Sequence, residues 1–303
     1  MFAKLFSQSG LSLDRLKALV EVGAAGSIVQ AAGGDPARQS QYSRQIKELE
    51  DFFQIGLAER HGKGIRLTAS GRELARISRF FLLGLSNFQR GCLAEGQTYR
   101  IGGSPTFLAI FLLPMLAEPN RSKSLIRYSV ETVQEDDVER RLHELTLDFG
   151  IVTRTTVSRP LQLRDLGHWK PVVWVPKNLC KTEKDAAREL TTLRLPVAWP
   201  EQEFPRAHIN RYADYEPALA CGSFLEARAA LEQQSFAAVL PDFMTPGKPA
   251  NRYWQMPIPG LESAEFQYRL AWNPRLLRLN PHAARRRDAL GDALTKLLLT
   301  SGR

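Results

Sequence analysis

Along the first fifty residues, large apolar side chains recur every three or four positions between short polar turns, which is the spacing of amphipathic helices. The pattern predicts a first helix over 12–24, with Ser12 as its N-terminal cap. A second, short helix follows over 28–32, capped by Ser27. The glycine pair 33–34 ends it, because glycine is a poor helix interior and a good C-terminal stop.

A third helix is predicted to begin at Asp35-Pro36, since Asp is a favoured N-cap and Pro suits the first helical turn. Its large apolar residues share one face: Tyr42, Ile46, Leu49 and Phe53. The leading half of the opposite face is polar and basic: Ser40, Ser43, Arg44 and Lys47. Such a face suits phosphates and base edges, because hydroxyl, amide and guanidinium groups match their donors and acceptors. An ordinary solvated helix has the same stripe, so the neighbouring sequence has to decide between the two interpretations.

Residues 59–68 place two glycines around Lys63 and then alternate apolar and polar residues. This pattern predicts a small hairpin with a basic tip, in which Lys63 and Arg66 contact a DNA backbone or minor groove. A phosphate-binding nucleotide loop is excluded by its spacing. Five residues, instead of the required four, separate Gly56 from the next glycine, and Gly64 replaces the Ser/Thr that binds magnesium.

Thr68 or Ser70 can cap a long helix that continues to about Cys92. Its apolar residues repeat at three- and four-residue intervals: Leu74, Ile77, Phe81, Leu85 and Phe88. A helix this apolar after a small DNA-reading module favours a dimerisation arm. Packing against its own domain is the alternative.

From Tyr99 onward the pattern changes to strands that alternate with helices, which is typical of a parallel sheet with right-handed crossovers. Strands are predicted at 99–103, 125–131 and 147–152, and helices at 104–116 and 134–145. The apolar segment 169–175 is predicted to cross into a second lobe. That lobe contains predicted strands at 195–200 and 236–241 and a helix near 224–234. Segment 266–272 then returns to the first lobe, and a helix at 283–299 closes the chain.

Length and composition are those of a globular chain of two or three domains: 303 residues, 44% hydrophobic and 24% charged. The net charge of +9 permits a polyanionic partner, but the excess is spread over the chain, so the acid-free basic runs 36–47 and 60–72 carry more weight. No apolar run approaches the roughly 18 residues that span a bilayer, and no signal-peptide core is found. The three cysteines form no Cys-x-x-Cys pair: Cys92, Cys180 and Cys221. They are expected to stay reduced in a cytoplasm, without membrane contact.

Residues 12–74 resemble the N-terminal domain of the LysR-type transcriptional regulators. The resemblance rests on these elements in the family's order and spacing: Leu16-Lys17-Ala18-Leu19-Val20-Glu21-Val22, Gly26-Ser27, Ala31-Ala32, Ser43-Arg44-Gln45-Ile46, Leu49-Glu50 and Leu67-Thr68-Ala69-Ser70-Gly71. Asp35 stands where the family usually has leucine, and Arg38-Gln39-Ser40 where it usually has Ser-Gln-Pro or Ser-Gln-Ser. The recognition helix is therefore predicted to begin about one turn earlier than is usual in the family.

The resemblance implies an all-α winged helix-turn-helix DNA-binding domain at 1–67 and a long linker helix for dimerisation at 68–95. It also implies an effector-binding domain at 96–303, an α/β domain of two lobes resembling periplasmic binding proteins. The implied bounds are about 98–163 with 270–303 for lobe 1, and about 164–269 for lobe 2.

On this resemblance, Gln39 and Ser40 are expected to approach base edges in the major groove. Phosphate contacts are expected from Arg38, Ser43, Arg44 and Lys47, and from Lys63 and Arg66 on the wing. Ser27 and Gln41 complete the predicted DNA-binding residues.

In open α/β sheets, ligands lie beyond the carboxyl ends of strands, at helix N-termini whose free N–H groups favour anions. The residues expected by this rule to face a cleft between the lobes are Gly103, Ser104, Pro105, Thr106, Thr153, Arg154, Trp199, Pro200, Gly222 and Ser223. Ser104 and Thr106 can equally serve only to cap a helix. The effector is an unidentified small molecule, for which an anion is one option.

The predicted function is a regulator, dimeric or tetrameric, that binds double-stranded promoter DNA under the control of an effector, with RNA polymerase as a further partner. A small-molecule sensor with a degenerate DNA-binding domain is the alternative, and an enzyme built on the α/β lobes is a third. No nucleophile elbow and no metal-ligand spacing of the histidines are found, so no catalytic residue, cofactor or metal is expected. The acidic run 131–139 is expected to be a solvated helix face with its preceding turn.

Overall fold

The computed structural model describes residues 10–61, 64–92, 97–117, 126–205, 212, 215–246 and 250–301. The chain divides into two compact units, Met1–Glu95 and Gly96–Arg303. Each unit is a fold of its own with its own core.

The first unit is a winged helix-turn-helix followed by a long helix, as the sequence predicts. Its elements are α1 (Leu13–Ala25), α2 (Ile28–Ala31), α3 (Pro36–Phe53), β1 (Ala58–His61), β2 (Gly64–Leu67) and α4 (Ala69–Cys92). The two strands pair antiparallel as the predicted hairpin. The tip residue Lys63 lies outside the described residues.

Each helix of this unit begins at a residue whose side chain accepts a backbone hydrogen bond. The hydroxyl of Ser12 accepts from the Arg15 N–H, and the carboxylate of Asp35 accepts from Ala37 N–H at 2.8 Å. Thr68, rather than Ser70, caps α4, because its Oγ1 accepts from the Gly71 N–H at 3.0 Å. The predicted helix starts are confirmed, including the start of α3 at Pro36.

The core of the first unit is formed where α1, α3 and β2 meet. Ile46 and Leu49 of α3 are fully buried there, together with Leu19 and Val22 of α1. At the end of α3, Phe52 is the buried ring and the predicted Phe53 is only half-buried. The remaining surface of α3 is therefore free for other contacts.

The first lobe of the second unit is a five-stranded sheet in the order β4-β3-β5-β12-β6. Its strands are β3 (Thr98–Gly103), β4 (Arg127–Thr132), β5 (Phe149–Val152), β6 (Gln162–Trp169) and β12 (Phe266–Trp272). After β3, helix α5 (Pro105–Phe107) continues through a π-helical segment (Leu108–Leu112) into α6 (Leu113–Leu116). The other helices of this lobe are α7 (Glu135–His143), α10 (Pro274–Leu279) and α11 (Pro281–Ser301).

The second lobe is another five-stranded sheet, in the order β11-β7-β10-β8-β9. Its elements are β7 (Pro171–Pro176), α8 (Glu183–Thr191), β8 (Val197–Pro200), β9 (Leu219–Cys221), α9 (Phe224–Glu232), β10 (Ala237–Pro241), a 3-10 turn (Ala250–Arg252) and β11 (Tyr253–Pro257).

Both sheets are mixed, which corrects the expectation of a parallel sheet. In the first lobe β4, β3 and β5 run parallel, whereas β12 pairs antiparallel with both β5 and β6. The reason is the connection between the lobes: the chain leaves the sheet through β6 and returns from the second lobe as β12, which inserts between β5 and β6. The chain leaves the first lobe after Trp169 and returns at Phe266, as expected for segments 169–175 and 266–272, and these positions lie a few residues from the implied lobe bounds of about 164 and 269.

Candidate functional sites

The polar face of α3 is open to solvent. The exposed residues from the predicted DNA-binding set are Arg38, Ser40, Gln41, Arg44 and Lys47, while Gln39 and Ser43 are half-buried. Arg66 is exposed on β2. Ser27 is half-buried and caps α2, since its Oγ accepts from the Gln30 N–H at 3.2 Å.

Two of the three acidic residues of α3 are occupied by contacts inside the unit, and the third, Asp51, is exposed in the last turn of the helix. Glu48 forms an ion pair with Arg15 of α1, and Glu50 accepts hydrogen bonds from two backbone N–H groups that lead into the wing, at 2.7 and 2.9 Å. Among the described residues, Arg38 and Lys47 have no ionic partner. The accessible charge of this face from Arg38 to Lys47 is therefore positive, which suits a phosphate backbone.

The long helix α4 presents an apolar stripe to solvent. Four of its large side chains are between 42% and 73% exposed: Ile77, Phe81, Leu85 and Phe88. Leu74, one turn earlier, packs against the core of the first unit. The four exposed residues therefore do not pack against their own domain, which disfavours that alternative for this part of the helix.

A cleft of about 530 Å³, counting space that is open to solvent, lies between the two lobes of the second unit. Four predicted effector residues line it: Ser104, Pro105, Thr153 and Gly222. The lining also contains Glu135, Glu203 and Tyr268, which sequence reasoning did not select. The predicted strand ends do meet here, because β3 and β5 are parallel neighbours.

The predicted second-lobe residue Trp199 belongs to the core. Its ring is 2% exposed and stacks on Phe204 with centroids 5.7 Å apart, and its indole N–H donates to the Phe204 carbonyl at 2.7 Å. Pro200 is buried at the end of β8, and Ser223 is a buried cap of α9. A side chain at Gly103 would meet Ile151 at 3.0 Å. These four residues support the cleft rather than line it.

Thr106, which is fully buried, contacts a carboxylate of the opposite lobe. The Glu203 carboxylate accepts hydrogen bonds from the Thr106 backbone N–H at 3.1 Å and from the Thr106 hydroxyl. It also accepts from the backbone N–H of Phe224, at the start of α9, at 2.6 Å. The N–H groups expected to receive an anionic effector thus already hold a carboxylate of the chain.

Glu135 plays the same part at the end of β5. Its carboxylate accepts from the Thr153 N–H, the Thr153 hydroxyl and the Arg154 N–H at 2.7–2.8 Å. The Arg154 guanidinium turns to α7, where it pairs with Asp136 at 2.6 Å, Glu139 at 3.4 Å and Glu135 at 3.5 Å. The acidic run is therefore partly a bonding partner of β5, not only a solvated face. The sequence signal for this role of Glu135 was its position at the start of a predicted helix, beside the end of a predicted strand.

Tyr268 lies on β12 at the floor of this cleft. Its side chain is 2% exposed, and its hydroxyl has no hydrogen-bond partner among the described residues. Burial raises the pKa of Tyr268 well above 10, and the negative charges of Glu203 and Glu135 act in the same direction. The hydroxyl therefore stays protonated at neutral pH.

The cysteine nearest the cleft is Cys221, at the end of β9. Its thiol donates to the Trp199 carbonyl at 3.3 Å, and burial raises its pKa to about 11. Cys180 is buried and free as well. Since thiolates are the reactive form, Cys221 is poorly placed for redox chemistry at neutral pH. Within the described ranges, no cluster of metal-ligating side chains occurs, and no helix is long and apolar enough to cross a bilayer.

Two family models match almost the whole chain. Residues 94–295 match the LysR substrate binding domain, and residues 13–72 match the bacterial regulatory helix-turn-helix protein of the lysR family. The HTH-type transcriptional regulator HdfR of Salmonella newport is 25% identical over 239 residues, which cover 76% of this chain and 82% of that protein.

Solved structures share the fold at low identity. A full-length OxyR variant from Pseudomonas aeruginosa has a TM-score of 0.64 and 17% identity, with 95% of each chain covered. Full-length LysG from Corynebacterium glutamicum, with bound effector Arg, has a TM-score of 0.60 and 15% identity, and the match covers 94% of this chain and 99% of that one. At these identities the likeness establishes the fold alone.

Proposed function

The chain belongs to the LysR family of DNA-binding transcriptional regulators with an effector-binding domain, and we propose that the polar face of α3 binds promoter DNA under the control of a ligand in the inter-lobe cleft. The observation that carries the DNA-binding part is the division of charge on α3. Glu48 and Glu50 are bonded inside the unit and the exposed Asp51 lies in the last turn, whereas Arg38 and Lys47 are free to meet phosphates.

Roles on α3 follow from exposure and chemistry. Gln39 and Ser40, near the start of the helix, are assigned to base edges, because amide and hydroxyl groups read the major groove. Arg38, Ser43, Arg44 and Lys47 are assigned to phosphates, with Arg66 and Lys63 acting from the wing. Since promoter DNA lies in the cytoplasm of a bacterium, a cytoplasmic location is part of this proposal. A contact with RNA polymerase is also part of it, because the polymerase binds at the same promoter.

A second copy of the chain is proposed to cover the exposed stripe of α4. The stripe is formed by Ile77, Phe81, Leu85 and Phe88. Apolar side chains at this helical spacing pack against a second helix, and a two-fold dimer places two recognition helices on two half-sites. A tetramer would need a second interface between copies, which we assign to the second unit.

The cleft is proposed as the effector site because it lies beyond the carboxyl ends of β3 and β5, where ligands of α/β sheets bind. LysG, whose second unit shares this fold, is described with bound effector Arg. Ligand binding there is expected to change DNA affinity or the arrangement of copies on DNA.

Fluorescence anisotropy with a labelled duplex from upstream of this gene tests the DNA-binding part. The double variant R38A/K47A should lose at least about tenfold in affinity, since each phosphate contact contributes to binding. The control is Lys17→Ala, which removes an exposed cation from α1. Wild-type protein that shows only non-specific affinity for this and other promoters would instead support a sensor with a degenerate DNA-binding domain.

A further inference from the structure

We propose that the inter-lobe cleft selects a small cation, an amine or guanidinium compound without a carboxylate, as its ligand. The inference rests on the proposed effector function of the cleft and adds the chemical class of the effector. It differs from the anion that the general preference of helix N-termini offers as one option.

The donors that an anion would use are occupied from within the chain. Glu203 takes the N–H groups of Thr106 and Phe224, one in each lobe, together with the Thr106 hydroxyl. Glu135 takes the N–H groups of Thr153 and Arg154 and the Thr153 hydroxyl. An anionic ligand would have to displace one of these carboxylates and replace three hydrogen bonds at once.

The charge that faces the cleft is negative. Among its described lining residues the only charged ones are Glu135 and Glu203. The two nearby guanidinium groups are each held by carboxylates of the chain. Arg154 is shared among Glu135, Asp136 and Glu139, so it offsets only part of the charge of Glu135, and Arg269 pairs with Asp165 at 2.8 Å. In a partly dehydrated cleft, two carboxylates repel an anion and attract a cation.

Tyr268 points independently to a ligand with N–H groups. Its side chain lines the cleft and is 2% exposed, and no hydrogen bond from its hydroxyl to another described residue is found. A hydroxyl with little access to water and no protein partner is unfavourable, so a ligand that reaches it gains a hydrogen bond. An ammonium group carries three donors and a guanidinium five, enough to serve Tyr268 and the free lone pairs of both carboxylates.

The link between the lobes also limits ligand size. Glu203 holds the second lobe to Thr106 of the first, and Gln134 donates to Gln202 across the same gap at 2.7 Å. The space that these contacts enclose is about 40 Å³, well below the roughly 300–1,000 Å³ of ligand pockets, so a ligand enters only if the lobes move apart. A small amine or guanidinium compound requires less movement of the lobes than a large one.

The test is isothermal titration of the full-length chain with three probes: agmatine, arginine and succinate. Agmatine and arginine share the guanidinium and differ by one carboxylate, and succinate is a pure anion. Agmatine should bind. Arginine should bind at least about tenfold more weakly, because its additional carboxylate is repelled by Glu135 and Glu203 and one unfavourable charged contact changes affinity by about that factor. Succinate should give no heat.

Substitutions locate the binding. Glu203→Gln removes one negative charge at constant size and should weaken agmatine binding at least about tenfold. Glu203→Ala should in addition allow succinate to bind, because the N–H groups of Thr106 and Phe224 become free. Glu232→Gln is the control, an equal charge change on α9 outside the cleft. Tyr268→Phe keeps the ring and should weaken the binding of agmatine without allowing succinate to bind.

Three results would overturn the proposal: succinate binding to wild-type protein as tightly as agmatine, no heat with agmatine at millimolar concentration, or agmatine binding unchanged in the Glu203 and Tyr268 variants. Thermal melting of each variant shows whether the second unit is folded. DNA affinity of the same samples is measured separately, so failure of the proposed regulator function is distinguishable. An anion that binds wild-type protein and alters DNA binding would agree with the proposed regulator function and refute only the proposal that the effector is a cation.

Discussion

The hydroxyl of Tyr42 donates a hydrogen bond of 2.7 Å to a carboxylate oxygen of Glu21. Tyr42 lies on α3 and Glu21 on α1, so this bond joins the predicted recognition helix to the first helix of the unit. The bond raises the pKa of Tyr42 above its ordinary value of 10. Together with the Arg15–Glu48 ion pair, it makes the orientation of α3 depend on α1.

Tyr42→Phe should destabilise the first unit by about 1 kcal/mol, because a half-buried hydrogen bond to a charged acceptor is lost. Since the folded-state pKa is raised, the stabilisation is fully present below pH 10 and is lost as pH rises through the raised value. Urea unfolding of wild type and variant across alkaline pH measures both effects. A stability difference that stays constant well above pH 10 would contradict this role of the bond.

Arg44→Ala should weaken binding to every DNA sequence and lower the slope of log K against log salt by about 0.9, the value for one phosphate contact. Arg44 is available because its Nε is 4.0 Å from Glu48, whose carboxylate pairs more closely with Arg15. Anisotropy titrations at several salt concentrations give the slope. Arg188→Ala, an exposed site in the second unit, is the control, and an unchanged slope for Arg44→Ala would refute the phosphate contact.

Phe81→Lys should convert the dimer into monomers. Each copy would lose an apolar contact of about 1.5–3 kcal/mol, so two copies weaken association by roughly 3–6 kcal/mol. Sedimentation velocity over a concentration series measures the change. Ser86→Lys introduces the same charge on the opposite side of α4 and should leave association intact. Equal effects of the two substitutions would place the interface elsewhere.

Gly71→Ala should destabilise the first unit by about 1–3 kcal/mol, the usual cost of overpacking. A methyl group at this position would lie 2.1 Å from the Leu57 carbonyl oxygen, so α4 or the wing has to move. Gly56 is the matched control, because a methyl group there meets nothing within 4 Å. Thermal melts of the two variants test the difference, and equal melting temperatures would show that the turn adapts without cost.

Sequence alone determined the first unit, because its decisive interactions are local. Caps such as Ser12 and Asp35 bond to N–H groups two or three residues away, and the apolar spacing of α3 reports directly on its buried face. The same holds for two strands of the second unit: β5 is a continuous apolar run, and β3 alternates the buried Tyr99 and Ile101 with more polar positions. The strand ends that meet at the cleft followed from these elements.

The character of the cleft was decided only by the tertiary structure. The hydrogen bonds of Glu203 join residues 97 positions apart in the sequence, and no local pattern reveals such a partner. The first sheet is mixed because β12 returns antiparallel to β5. Trp199 lies in the aromatic core, stacked on Phe204, and not in the cleft. A helix N-terminus attracts negative charge in general, but only the folded chain shows that Glu203 and Glu135 supply this charge themselves.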